Sequence, residues 1–353
     1  MSLDNNNLIF IDKDLNYTTL SAESAHSLNR NHLKGWYCSA GLRSLYIDFD
    51  GNVFRGVCGE GGWMGNVNNP NGIVHMKQLS DHEWIECTKQ VCSCGADMAI
   101  PKVKNKGDIS KFFTEHTRGK LFLRTRLKDV DPIVIYTREH EMFKTITWDI
   151  GRKCNFDCWY CSSNSHNTFE SVKNLDMFKV ALSSLSKGFV NERTKFIFTG
   201  GEPTIYKDYL PFVKLLKEAD HIIHTTTNGS NLVSYYSELA KYSDIVFSIH
   251  LNYVKQFGIE KFLNNIQAAI DTTSLGYKED SESQHNWVIV RIMLDPGNLD
   301  IAREVYAQCA AQFEESSNFV LSVDLVHQTE NSHLLHADYT DAELEWINSI
   351  NAQ

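Results

Sequence analysis

Beyond Lys144 the chain alternates short β-branched or apolar runs with longer amphipathic stretches. Six such runs, at 145–150, 195–199, 222–227, 245–250, 286–294 and 319–324, read as strands. Between them, 175–187, 209–219, 232–241, 259–271 and 299–313 place apolar residues three and four apart, the spacing of helices with one buried face. Strict alternation of the two predicts βα units around a parallel sheet, an α/β fold. In such folds the loops after the carboxyl ends of the strands carry the chemistry, so those loops are where to look.

Before Lys144 the texture changes. A turn at Asp50-Gly51, the Gly-rich GEGGWMGN at 59–66 and five Cys within residues 38–94 suggest a small cysteine-rich, metal-stapled domain over residues 1–100. Residues 101–143 then read as a basic linker, 144–326 as the βα core and 327–353 as a C-terminal tail. A length of 353 residues suits one large and one smaller domain.

Composition narrows the function classes. With 42% hydrophobic residues and 6 Pro the chain is an ordinary folded protein rather than a disordered one. No apolar run approaches the ~20 residues needed to cross a bilayer, and the start MSLDNNNLIFIDKD has neither the basic nor the apolar region of a signal peptide. The expectation is a cytoplasmic protein with no membrane partner. In a reducing compartment clustered cysteines bind metal or do redox chemistry in preference to forming disulfides, and eight of the 9 Cys fall in two clusters. The ninth, Cys309, sits in a helix-like stretch and reads as a buried core thiol. A net charge of -10 argues against an extended nucleic-acid face. Residues 101–128 break that trend, with nine Lys or Arg against Asp108 and Glu115; a solvated connector and a dock for an anionic ligand both fit.

After the first strand of the repeat, GRKCNFDCWYC sets Cys154, Cys158 and Cys161 at CxxxCxxC spacing on one loop. Three thiolates on a four-iron cube leave one iron open to a small molecule. Zinc completed by His166 fits the same loop. The second strand ends in FTGGEP, where Gly200 and Gly201 permit close backbone approach, Glu202 can face an ammonium and Pro203 closes the turn. TTTNG after the third strand offers Thr227 and Asn228, and SIH after the fourth offers Ser248. His250 at that strand end reads as a histidine satisfied by its neighbours. Arg291, among Val288, Val290, Ile292 and Met293, meets an anion if it points inward and water if it points outward.

CxxxCxxC with the aromatic Tyr160 before its last Cys, followed in order by GGEP and the later strand-end motifs, resembles the radical S-adenosylmethionine (SAM) superfamily over residues 144–326. The resemblance implies a partial (β/α)6 TIM-like barrel and a 4Fe-4S cluster held by Cys154, Cys158 and Cys161. It implies SAM beside Tyr160, Gly200, Gly201, Glu202, Pro203, Thr227, Asn228, Ser248 and Arg291. Reductive cleavage of SAM to methionine and a 5'-deoxyadenosyl radical would follow, with hydrogen abstraction from substrate and an electron donor such as flavodoxin or ferredoxin. The family's glycine-containing adenine motif on the fifth strand has no match.

The order CSAG, IDFDGNV, Cys58, GNV, Trp84 and then clustered Cys is similar to the SPASM or twitch auxiliary domain of that superfamily. There the domain follows the barrel; in this chain it precedes it, with six residues between Gly51 and Cys58 where relatives have four. This second resemblance implies an auxiliary 4Fe-4S cluster on Cys38 and Cys58 with two of Cys87, Cys92 and Cys94; zinc on four thiolates is the alternative. Twitch-bearing relatives point to a peptide or protein substrate. A nucleotide- or RNA-modifying enzyme and a zinc-stabilised binding protein are the competing readings.

Overall fold

Residues 8–12, LIFID, form a strand in which every second side chain serves a different core. In this computed structural model the described residues are 8–14, 16–20, 25, 30–69, 83–92, 95–108, 122–123, 131–136, 143–161, 174–187, 189–190, 193–274, 286–326 and 339–351. Cys94, His166, most of the basic 109–130 stretch and residues 327–338 lie outside them. The chain divides into two compact units, Met1–Thr147 with Lys179–Lys195, and Trp148–Phe178 with Phe196–Gln353.

The first unit is built on a seven-stranded sheet. Strand β1 (Leu8–Asp12) pairs antiparallel with β2 (Asn16–Leu20), and the turn is pinned by Asp12 Oδ1, which accepts the N–H groups of Asp14 at 2.9 Å and Asn16 at 3.0 Å. Strands β3 (Tyr37–Cys38), β7 (Ile85–Glu86), β8 (Lys102–Val103), β9 (Phe122–Leu123) and β10 (Pro132–Tyr136) complete the order β7-β3-β8-β10-β1-β2-β9. Because successive strand residues face opposite ways, Ile9 and Ile11 pack with Trp84, Val103, Ile133 and Val134. Leu8 and Phe10 pack on the other side with Leu33, Cys92, Met98 and Ile135. β8 and β10 come from the segment the charge pattern suggested as a linker. Their apolar residues, Val103, Ile133, Val134 and Ile135, are core, and that is why the segment is ordered as strand there. The unit also holds the meander β4 (Ser44–Ile47), β5 (Asn52–Phe54) and β6 (Trp63–Asn66); Asp50-Gly51 is its first hairpin turn, with Gly51 at φ 82°.

Most of the βα repeat lies in the second unit. Strands β11 (Lys144–Asp149), β12 (Thr194–Thr199), β13 (Ile222–Thr227), β14 (Asp244–His250), β15 (Val288–Leu294) and β16 (Phe319–Leu325) are neighbours in chain order. The pairs from β13 to β16 are parallel. β16 does not pair back to β11, so the sheet is open and is not a closed barrel. The helices are α2 (Leu175–Ser186), α3 (Tyr209–Glu218), α4 (Val233–Leu239), α5 (Leu251–Phe257), α6 (Glu260–Ser274), α7 (Leu299–Phe313) and α8 (Asp341–Asn351), after a short α1 (Gly95–Ala99) in the first unit. The strand runs foreseen at 145–324 agree with these bounds to within two residues. Helix α5 was not foreseen, because LNYVKQF follows β14 with no turn residue to announce it. Cys309 is buried in α7, as its neighbours suggested. Among the described residues no helix is long and apolar enough to cross a membrane.

Parallel strands covered on both faces usually read as unbroken apolar runs. These alternate instead: Phe247, Ile249, Val290, Ile292 and Val323 are buried, while Ser248, His250, Arg291, Met293, Ser322 and Asp324 are half-buried. Register places Ser248 beside Arg291 beside Ser322, and His250 beside Met293 beside Asp324. One face of the sheet is therefore polar and accessible, and the cysteine loop lies at its carboxyl end.

Candidate functional site

The loop after β11 is fixed by the turn after β12. Gly201 N–H donates to Gly151 O at 2.6 Å and Glu202 N–H to Lys153 O at 2.8 Å. A Cβ on Gly201 would overlap the Lys153 carbonyl, and one on Gly200, at φ 118°, would overlap Asp149 and the Gly151 carbonyl. The close approach these glycines allow is that of the cysteine loop itself. Gly201→Ala is accordingly expected to cost about 3 kcal/mol or to push the loop off its turn, read as a fall in the thermal midpoint of the metal-free protein together with loss of iron uptake.

Glu202 is almost wholly buried, and its carboxylate is occupied by protein donors. Oε1 accepts from Thr204 N at 3.0 Å, Thr204 Oγ1 at 2.6 Å and Thr227 Oγ1 at 2.8 Å; Oε2 accepts from Asn228 N at 2.6 Å. The structure thus places Glu202 as the clasp between two strand ends, with Pro203 opening a 3-10 turn over Pro203–Ile205; its Oε1 accepts three of the four bonds and its Oε2 one. Burial pushes this carboxyl up while the four donors pull it down. Held in that way, Asn228 turns its Nδ2 to Cys154 Sγ at 3.7 Å and to Asn155 Oδ1 at 3.0 Å. The Phe156 N–H also points at Cys154 Sγ, at 3.4 Å.

The rest of the loop leans on α5 and β14. Phe156 stacks on Tyr253 with ring centroids 3.6 Å apart and planes 5° from parallel, and Tyr253 OH accepts the Asp157 N–H. Cys161 N–H donates to Cys158 O at 2.9 Å. Tyr160 OH is hydrogen-bonded to His250 Nδ1, and the two rings lie 5.8 Å apart at 27°. Trp159 Nε1 donates to Asp295 Oδ2 at 3.3 Å. Neither Asp295 nor Tyr253 was singled out in the sequence. Arg291 pairs with Asp324 across the sheet at 3.8 Å and sits next to Ser248 in register, so it lies on the polar face, half-exposed.

Burial pushes the Cys158 thiol up to about 12, and burial also raises Cys154, which Phe156 and Asn228 partly offset. Metal uptake must therefore release protons from these thiols. His250 is enclosed by Phe156 and Tyr160, and that desolvation lowers its pKa to about 4. It is neutral at pH 7. Because the unfolded chain takes up this proton near pH 6.5 and the folded one only near 4, the contribution is complete above 6.5 and is lost as pH falls toward 4. Denaturant titrations of metal-free protein are expected to lose about 3 kcal/mol over that window, and His250→Phe to flatten the slope.

Residues 148–301 match the sequence family described as the Radical SAM superfamily. That stretch of the chain is a radical SAM domain. Curated relatives include proteins named GTP 3',8-cyclase from Haemophilus ducreyi, 30% identical over 152 residues, 40% of this chain and 44% of that one. The namesake from Pasteurella multocida is 31% identical over 160 residues, 42% of this chain and 46% of that one. The chain spans less than half the length of these relatives. Likeness to the solved structure of Streptococcus suis SuiB bound to S-adenosylmethionine is slight, with TM-score 0.41 and 18% identity over 59% of this chain and 46% of that one.

The radical SAM superfamily implies a 4Fe-4S cluster and SAM, and the donor set of the loop fits such a cluster. Three thiols lie on one loop, they act on one another electrostatically, and Cys154 already has two N–H donors directed at its sulfur. Among the described residues no three His, Cys, Asp or Glu side chains converge as closely as one bound ion demands.

In the first unit four described thiols, Cys38, Cys58, Cys87 and Cys92, lie within electrostatic reach of the buried Lys102. Cys38 stands opposite Lys102 in the β3–β8 pair. Asp97 accepts the N–H groups of Val57 at 2.9 Å and Cys58 at 2.6 Å. Cys87 N–H donates to Trp36 O at 2.7 Å, and Cys92 N–H to Asn31 O at 2.8 Å. Burial raises the Cys38, Cys58 and Cys87 thiols.

Proposed function

We propose that this protein cleaves SAM reductively at a 4Fe-4S cluster held by Cys154, Cys158 and Cys161, and uses the resulting 5'-deoxyadenosyl radical to take a hydrogen atom from its substrate. The observation that carries this reading is the clamp of the GGEP turn on the cysteine loop, with Asn228 reaching Cys154 from the next strand end. A bound cluster supplies the single electron for that cleavage. The chain's own residues do the placing. Glu202 and Thr227 fix the floor of the site, His250 and Tyr160 fix its wall as neutral hydrogen-bonding groups, and Ser248 and Arg291 line the polar face where the SAM ribose and carboxylate would lie. Pro203 acts through the turn it opens.

Residues 1–100 are proposed as a twitch-like auxiliary unit placed before the core, its second cluster held by Cys38 and Cys58 with two of Cys87, Cys92 and Cys94, the last of which lies outside the described residues. That unit favours a peptide or protein substrate. A nucleotide substrate is the second reading, favoured by the relatives named GTP 3',8-cyclase. Oxygen-free purification tests the main proposal: a brown protein containing iron and sulfide that forms 5'-deoxyadenosine once reduced supports it. A colourless protein with stoichiometric zinc would leave a zinc-stabilised binding protein instead. GTP that raises 5'-deoxyadenosine output above the uncoupled rate selects the nucleotide reading; a response only to a short peptide encoded beside this gene selects the peptide one.

A further inference from the structure

Lys102 is the least expected residue in the first unit. A lysine is almost never fully buried unless it is compensated, yet only 2% of Lys102 is exposed. Its ammonium donates to the carbonyls of Asp97, of Met98 at 3.3 Å and of Ile100 at 2.8 Å. Those carbonyls close α1, so three dipoles and the carboxylate of Asp97 surround one cation. The thiols of Cys38, Cys92 and Cys58 also act on it electrostatically, Cys38 from the directly opposite strand position. Asp97 in turn holds the backbone of Cys58, and the space over Gly56 is filled by its Oδ1, so that an added Cβ would stand only 3.0 Å away. One buried cation thus lies within electrostatic reach of Cys38, Cys58, Cys87 and Cys92.

Resting on the reading of those cysteines as ligands of an auxiliary cluster, we propose that Lys102 is the fixed counter-charge of the N-terminal metal centre. Four thiolates leave such a centre with net negative charge even when oxidised, and one-electron reduction adds another. In a buried site a nearby cation stabilises the more negative state most, so it holds the reduction potential up. The carbonyls of Asp97, Met98 and Ile100 hold the ammonium in place, so its charge stays fixed beside the centre. Lys102 is a positioning and tuning residue; it ligates nothing.

The test uses the full-length chain carrying Cys154→Ala, Cys158→Ala and Cys161→Ala, so that only the N-terminal centre takes up iron, reconstituted without oxygen. Iron and sulfide content and a redox titration followed by electron paramagnetic resonance are compared for Lys102, Lys102→Met and Lys102→Arg. The expected result is a shift of the Lys102→Met centre to more negative potential by at least tenfold in its reduction equilibrium, about 59 mV for one electron, with Lys102→Arg close to the parent. Loss of iron in Lys102→Met with retention in Lys102→Arg also supports the proposal. A fully loaded Lys102→Met centre at the parent potential overturns it, as does equal loss of iron in both variants, which would make Lys102 a cap for the α1 carbonyls. A parent chain that takes up no iron at this centre overturns the auxiliary-cluster reading itself, and the proposal with it.

Discussion

Cys158→Ala is expected to form no measurable 5'-deoxyadenosine from SAM, a loss of well over 100-fold, while Cys58→Ala retains uncoupled cleavage. Altering residues that merely orient a metal ligand typically costs 10- to 100-fold; removing one of only three ligands must cost more. Cys158 is nearly buried, in the middle of a loop whose three thiols act on one another, and no described thiol besides Cys154, Cys158 and Cys161 is on that loop. Cys58 belongs to the other compact unit, on a backbone held by Asp97. Chromatography of 5'-deoxyadenosine, with iron counted on the same samples, separates the two. Equal loss of cleavage and of iron in both variants would refute the division into a catalytic and an auxiliary centre.

The second large effect is expected at Glu202. Glu202→Ala removes one carboxylate and leaves the donors of Thr204, Thr227 and Asn228 buried without their acceptor. Hydrogen bonds to a charged group contribute about 1.5–3 kcal/mol each, and orphaned buried donors add their own penalty. Non-additivity within one network keeps the sum below the simple total, so a loss of about 4 kcal/mol is expected in denaturant unfolding of the metal-free protein. Glu202→Gln retains one acceptor oxygen but turns an NH2 toward a donor, and is expected to lose about half as much. If Glu202 instead served chiefly to bind the SAM ammonium, both variants would unfold like the parent and fail only in SAM affinity, measurable by equilibrium dialysis.

The six strands of the repeat were legible because each is a β-branched run of the right length between amphipathic helices, a purely local signal. The strand Leu8–Asp12 is as apolar as any of them, but its partner Pro132–Tyr136 lies more than a hundred residues away, across cysteine-rich and basic stretches. No periodicity reports such a pairing, and the surrounding charges made 101–143 look like solvated connector. At the site, residue types with restricted uses could be read from the sequence: three closely spaced thiols, and two glycines where backbones meet. Partnerships could not. That Glu202 is saturated by Thr204, Thr227 and Asn228, that Tyr160 meets His250, and that Asp295 lies under Trp159 all depend on loops brought together by the sheet. Helix α5 was missed for a related reason: besides its buried Leu251 and Val254, it is held by the stack of Tyr253 on Phe156, a contact 97 positions apart in the chain.

The clamp on the cysteine loop also divides the cost of taking up a cofactor unevenly along eleven residues. Residues 151–153 are already hydrogen-bonded to the Gly200-Gly201 turn, and Cys154 already has its two N–H donors. Between Cys158 and Cys161 the backbone has one turn-like bond. Ordering a residue costs about 1–2 kcal/mol of conformational entropy; in the second half of the loop the Trp159–Asp295 and Tyr160–His250 bonds already meet part of it, and the remainder is left to Cys158 and Cys161. Cys154 is the preset anchor, and the other two thiols close on whatever it has caught.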